Sequence, residues 1–149
     1  MSCLGGTIVI DQSIKIEQTQ ADTRIGIVKG RRRLLVVIDA RLKRTLLDFL
    51  RRRGVRNPHV RLFGIFICLA LMDSGMLEPG NSIVIDEEYP GQEGRLRDMI
   101  ASRLNIDRAL ISFARVGHRS EAHRVSYTGR ADQVIRYDMR DFRRILALL

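Results

Sequence analysis

Hydrophobic positions change their period along the chain, and the changes divide it into elements. From Thr7 to Glu17, Ile8, Ile10, Ile14 and Ile16 share one parity, with polar residues between most of them, which is strand spacing. Ile25 and Ile27 repeat that pattern over 24–29, and Lys29-Gly30-Arg31 reads as a tight turn. Arg33 to Ile38 is continuous and β-branched, as expected of a strand buried on both faces. Three strands joined by short connections predict an antiparallel meander.

The period then becomes helical. Leu42, Leu46, Phe49 and Leu50 predict a helix over 40–53, capped by Asp39 and ended by Gly54. Asn57-Pro58 breaks the chain. The apolar run from Leu62 to Met72 lies in a second predicted helix over 59–77; it is too long for a typical strand and falls short of the roughly 18 residues that span a membrane. Ser82 to Asp86 reads as a short central strand, and 87–94 as an acidic loop containing Pro90 and Gly91. Leu96, Met99, Ile100 and Leu104 mark a third helix, 110–116 a strand, 120–127 a short helix opened by Ser120, and 133–137 a last strand. Asp138 caps a final helix whose inward face is Phe142, Ile145, Leu146 and Leu149. The expected architecture is α/β: an N-terminal three-strand antiparallel meander followed by alternating helices and strands in one mixed sheet. Without repeats, low-complexity segments or linkers, 1–149 reads as a single domain.

Charge adds a class of partner. Lys plus Arg is 26 against 17 Asp plus Glu, a formal net charge of +9, and only three of the 26 are Lys. Guanidinium pairs with phosphate bidentately, so the balance points to nucleic acid, DNA or RNA, although GC-rich codon usage also yields Arg over Lys. Arg31, Arg32 and Arg33 are consecutive, and Arg51, Arg52, Arg53, Arg56 and Arg61 fall close together. A third group is Arg140, Arg143 and Arg144. Aromatic residues are not interleaved with these groups, so backbone contacts are expected rather than a base-stacking platform. Cys3 and Cys68 lack metal or disulfide spacing, and Cys68 sits in the apolar run as a small core residue. The first residues do not form a secretory signal, and no membrane segment is present, so the expectation is a cytoplasmic protein. No GxSxG, P-loop or dinucleotide fingerprint occurs.

Against that basic background a few acids stand out. Asp11 follows Ile8-Val9-Ile10, and Asp86 closes Ile83-Val84-Ile85 with Glu87 and Glu88 immediately after it. Both aspartates end apolar strands that can be neighbours, so their carboxylates can converge. Phosphodiester hydrolysis needs charge stabilised on the attacking and leaving oxygens, and hard divalent cations held by carboxylates supply it. His118 and His123, five apart, would not share a helical face, which argues against a joint metal site.

The element order and these acids resemble the ribonuclease H-like family. Its members begin with three antiparallel strands and then alternate helices with parallel strands. Asp11 is similar to the family's first-strand Asp, Asp86 to the Asp closing strand four, Asp132 in Ala131-Asp132 to the Asp near its C-terminus, and His118 to a mobile His upstream of that Asp. The family's first-helix Glu has no match, so Glu87 or Glu88 would supply the missing ligand. The resemblance implies a nuclease or related phosphoryl-transfer enzyme using Mg²⁺ or Mn²⁺. Its metal ligands would be Asp11, Asp86, Glu88 and Asp132, with catalytic roles for Asp11, Asp86, Glu87, Asp132 and His118. The alternatives are a non-catalytic nucleic-acid-binding or scaffold domain of the same fold, and a protein-interaction module whose basic surface reflects codon usage.

Overall fold

The computed structural model describes residues 6–149. Cys3 and most of the N-terminal stretch read above lie outside the described residues. The elements run β1 (Thr7–Ser13), β2 (Thr23–Lys29), β3 (Arg32–Ile38), α1 (Ala40–Arg52), α2 (Pro58–Ser74), β4 (Ser82–Asp86), α3 (Glu93–Leu104), β5 (Ile111–Ala114), α4 (Glu121–Thr128), β6 (Gln133–Tyr137) and α5 (Phe142–Leu146). Short 3-10 turns precede β5 and α5.

One six-stranded mixed sheet has the order β5-β4-β1-β2-β3-β6. The β1–β2 and β2–β3 pairs are antiparallel, whereas β4, β5 and β6 join parallel to their neighbours. The predicted meander and the α/β pattern are therefore present. Asp39 caps α1 as expected, accepting from the Arg41 and Leu42 N–H groups, and Ser120 accepts from Ala122 at the start of α4.

Alternation sorts the sheet residues into two faces. Ile8 and Ile10 of β1, Ile25 and Ile27 of β2 and Ile83 and Ile85 of β4 enter the main core with α1, α2, α3 and α5. α2 is apolar on every side because it lies inside that core: Leu62 through Leu71 are all buried. Cys68 is buried among them, and burial pushes its thiol up to about 12. No helix among the described residues is long and apolar enough to cross a membrane.

The second face carries Val9, Val28, Leu35 and Val37, and one short helix, α4, packs on it through Ala122 and Val125. Gly26 makes this approach possible. A Cβ there would lie 2.2 Å from the Ala122 carbonyl oxygen and 2.8 Å from the Ser126 nitrogen, so the helix backbone rests where any side chain would stand. α4 leaves β4 and β5 uncovered, and Ser112 and Ala114 are exposed there.

One boundary departs from the hydrophobic pattern. The even-parity isoleucines predict strand to Glu17, but β1 ends at Ser13. Ile14 takes a left-handed backbone, φ 58°, and is 39% exposed. That conformation costs a β-branched residue about 1–2 kcal/mol and turns the chain out of the sheet. Ile16 returns to the core from the loop rather than from the strand.

The core assignment gives a paired test in denaturant melts. Ile67→Ala, at a fully buried position, is expected to cost about 2–5 kcal/mol. Met72→Ala, in the same apolar run but 55% exposed, is expected to change stability by less than about 0.5 kcal/mol.

Candidate acidic site

The parallel register of β1 and β4 pairs Ile10 with Ile85, so Asp11 and Asp86 follow one another across the ladder on the face that carries α4. Chain direction beyond Asp86 decides which glutamate joins them. The Glu87 N–H continues the ladder to the Ala114 carbonyl oxygen at 3.1 Å, leaving Glu87 exposed. The next N–H, of Glu88, turns back to the Asp86 carbonyl oxygen at 2.8 Å. This tight turn returns the Glu88 side chain to the sheet end. Asp11, Asp86 and Glu88 each offer a carboxylate oxygen within 4.8 Å of the others.

Each carboxylate is held. Asp11 is 3% exposed; its Oδ2 lies 3.0 Å from His123 Nδ1 and 3.5 Å from the Ser126 hydroxyl, both on α4. Asp86 Oδ1 accepts from the Val116 N–H at 2.7 Å, which ties the loop 115–120 to the strand end. Lys15 Nζ stands 3.7 Å from Glu88 Oε2. His123 Nε2 in turn lies 3.3 Å from His118 Nδ1, so a chain of contacts runs from Asp11 through two imidazoles to the loop. Tyr127, 67% exposed, stacks on His123 with ring centroids 5.1 Å apart.

The cluster is costly without positive charge. Burial, with the Asp86 charge next, raises the Asp11 carboxyl from 3.8 to about 6. Burial and the hydrogen bond and charge of Asp86 raise Glu88 from 4.5 to about 8. His123 and Lys15 oppose these rises only in part. Near neutral pH the site therefore holds a proton, on Glu88, that a cation can displace. Three carboxylates form an all-oxygen donor set of the kind hard cations such as Mg²⁺ and Mn²⁺ take, so the residues fit such an ion.

Of the residues singled out in the sequence, the structure brings together Asp11, Asp86 and Glu88, with His118 one imidazole removed. Glu87 and Asp132 stand apart from them. The Asp132 carboxylate accepts from the Arg33 backbone N–H at 3.0 Å, where the chain enters β6. His118 and His123 share no helical face, as their spacing predicts, but they are in contact, because His118 precedes α4 and the loop folds it back onto the helix. His123, Ser126 and Lys15 had no distinguishing signal in the sequence.

The arginine groups are also divided. Arg31–Arg33 lie at the β2–β3 turn, the end of the meander away from Asp11. Arg33 pairs with Glu121 at 3.2 Å, and Arg32 donates to the Ser74 carbonyl. Arg51, Arg52 and Arg53 end α1, with Arg52 on Asp48 at 3.0 Å and Arg53 over the Phe49 ring. Arg56 and Arg61 line a cavity beside the start of α2.

No family model, curated protein or solved structure compared with this chain matches it.

Two outcomes test the site as described. In metal-free buffer the folded chain keeps protons on Asp11 and Glu88 that the unfolded chain has released, so stability is expected to fall as pH rises from about 4 to about 8. Asp86→Asn keeps an acceptor for Val116 and removes one charge from the cluster. Thermal melts should show a smaller fall, with the variant more stable than wild type at pH 8. Equal pH slopes would show that the carboxylates do not interact. Separately, Gly26→Ala must push the α4 backbone outward. It is expected to cost about 1–3 kcal/mol and to shift the His123 ring signals in NMR spectra.

Proposed function

We propose that the chain is a metal-dependent nuclease, or a related phosphoryl-transfer enzyme, of ribonuclease H-like fold. The observation that carries this reading is the convergence of Asp11, Asp86 and Glu88 at the end of the β1–β4 ladder, where burial and mutual repulsion raise the pKa of Asp11 and of Glu88. An antiparallel β1-β2-β3 meander extended by parallel β4 and β5 supports the fold assignment, and β6 adds a strand beyond β3. The site departs from the family's four acids, since α1 and α2 contain no Glu and Asp132 is engaged elsewhere. Glu88 takes the third place.

Asp11, Asp86 and Glu88 would hold Mg²⁺ or Mn²⁺. A bound ion of this class supplies positive charge to the attacking and leaving oxygens of a phosphodiester. The chain's own residues do the rest. His123 and Ser126 orient Asp11 from α4, and the Val116 N–H fixes Asp86. Arg115 and Arg119 are exposed on the loop that this bond ties down, which places guanidinium groups where a phosphate backbone approaches. Tyr127 offers an exposed ring beside the site on which a base can stack. The uncovered β4–β5 surface leaves room for a strand of nucleic acid.

Thermal melts with and without Mg²⁺ or Mn²⁺, combined with cleavage assays on single-stranded, duplex and hybrid substrates, test this reading. Wild type should gain stability from the metal and cleave at least one substrate. Asp86→Asn should lose both effects, with cleavage falling by about a hundredfold or more if the charge is needed in the transition state. Absence of any metal-induced stabilisation, together with a lower melting temperature for Asp86→Asn, would leave the non-catalytic nucleic-acid-binding reading in its place.

A further inference from the structure

A second charged feature lies on the helical side of the sheet. A cavity of about 450 Å³ opens between the start of α2 and the length of α3, walled by Arg56, Arg61, Arg95 and Arg103 with Val55 and Met99 as its apolar part. Its lining contains no carboxylate. Elsewhere some arginines are neutralised, with Arg33, Arg52, Arg108 and Arg136 each within 3.3 Å of an acidic oxygen, and others, such as Arg115 and Arg119, are dispersed at exposed positions rather than gathered around one cavity. Among the described residues, Arg56, Arg61 and Arg95 are in no ion pair at all. Arg103 donates to the Leu148 carbonyl, a neutral partner. Arg61 also lines the adjoining cavity, to which Arg53 and Arg143 contribute, so the positive surface continues past the first cavity. α2 begins there without a side-chain cap and without an acid in its first turn, which adds potential of the same sign.

We propose that this cavity binds two or more linked phosphate groups, as a stretch of nucleic-acid backbone or a free polyphosphate presents them. One phosphate would leave most of the four guanidinium charges uncompensated, whereas consecutive phosphates match their number. Guanidinium forks pair with phosphate oxygens bidentately, and the Val55–Met99 wall can take the less polar part of a sugar or base. The 87–92 loop contacts the start of α2 and also carries an acid of the site. The His59 ring at the start of α2 lies 5.3 Å from the Tyr89 ring, and Tyr89 directly follows Glu88. On the nuclease reading above, from which this clause alone derives, the cavity holds the substrate backbone before it crosses the 87–92 loop to the carboxylates. Phosphate binding itself does not depend on that reading.

Binding is measured on the full chain in EDTA, so that no metal contributes. The probes are a fluorescein-labelled single-stranded oligonucleotide and inorganic tripolyphosphate. The Arg61→Gln/Arg95→Gln double variant should weaken binding by about a hundredfold, roughly tenfold for each charge-assisted pair lost. Arg31→Gln/Arg52→Gln removes the same charge elsewhere and should weaken it by less than about threefold. EDTA leaves the acidic site without metal, which separates this result from any outcome there. Displacement of the oligonucleotide by tripolyphosphate supports the shared phosphate chemistry. Cavity-dependent binding of the oligonucleotide alone identifies nucleic acid as the source, and of tripolyphosphate alone a free polyphosphate. Melts check that both double variants fold; Arg95→Lys, at an exposed position, keeps the charge but not the fork and should still weaken binding severalfold. Failure of wild type to bind either probe, or equal losses in the two double variants, would overturn the proposal.

Discussion

Everything distinctive about this molecule depends on the register in which β4 lies beside β1. Because Ile10 stands opposite Ile85, the next residue of each strand is an aspartate, and both point to the face away from the main core. A slip of one residue would send one carboxylate into the isoleucine core, where an unpaired charge costs several kcal/mol. The apolar alternation that builds the sheet is thus the device that brings two negative charges together. Neither strand can relieve the repulsion by moving, since Ile8, Ile10, Ile83 and Ile85 are all fully buried.

α4 completes the arrangement from the other face. An eight-residue helix is too short to hold itself, and its position rests on Val125, Ala122 and the missing side chain of Gly26. Seated there, it places His123 and Ser126 on Asp11. The loop before it is fixed to Asp86 by one backbone hydrogen bond. The acids are therefore gripped where β1, β4 and α4 come together. Lys15 reaches Glu88 from the chain that Ile14 turns outward. The energy spent on an isoleucine in the left-handed region is accordingly found beside the site, where strained backbone is most often retained.

Much of this was legible in the hydrophobic pattern. Period-two isoleucines defined β1 and β2, the helical spacing of Leu42, Leu46 and Phe49 defined α1, and Asp39 and Ser120 cap the helices that their positions predict. Asp11 and Asp86 stood out because each follows three apolar strand residues. The choice between Glu87 and Glu88 did not, since it turns on a single backbone hydrogen bond from Glu88 to Asp86. The contact between His118 and His123 was hidden for a related reason: helical spacing says nothing about a residue on the loop that precedes the helix. Asp132 drew attention through its neighbour Ala131, but the side chain is used to join β6 to β3. Counting arginines could not show that Arg56, Arg61, Arg95 and Arg103 gather around one cavity whose lining has no carboxylate. Local patterns report burial well. Long-range pairing of polar groups depends on chain reversals that they do not encode.

The proposed function rests on Asp11, Asp86 and Glu88 holding a divalent cation. Crystals soaked in Mn²⁺ and measured for anomalous scattering test it most directly. The account predicts an anomalous peak bounded by oxygens of these three residues, with His123 still on Asp11. Crystals that take up no Mn²⁺ there, with the three carboxylates swung apart to separate partners, would contradict it.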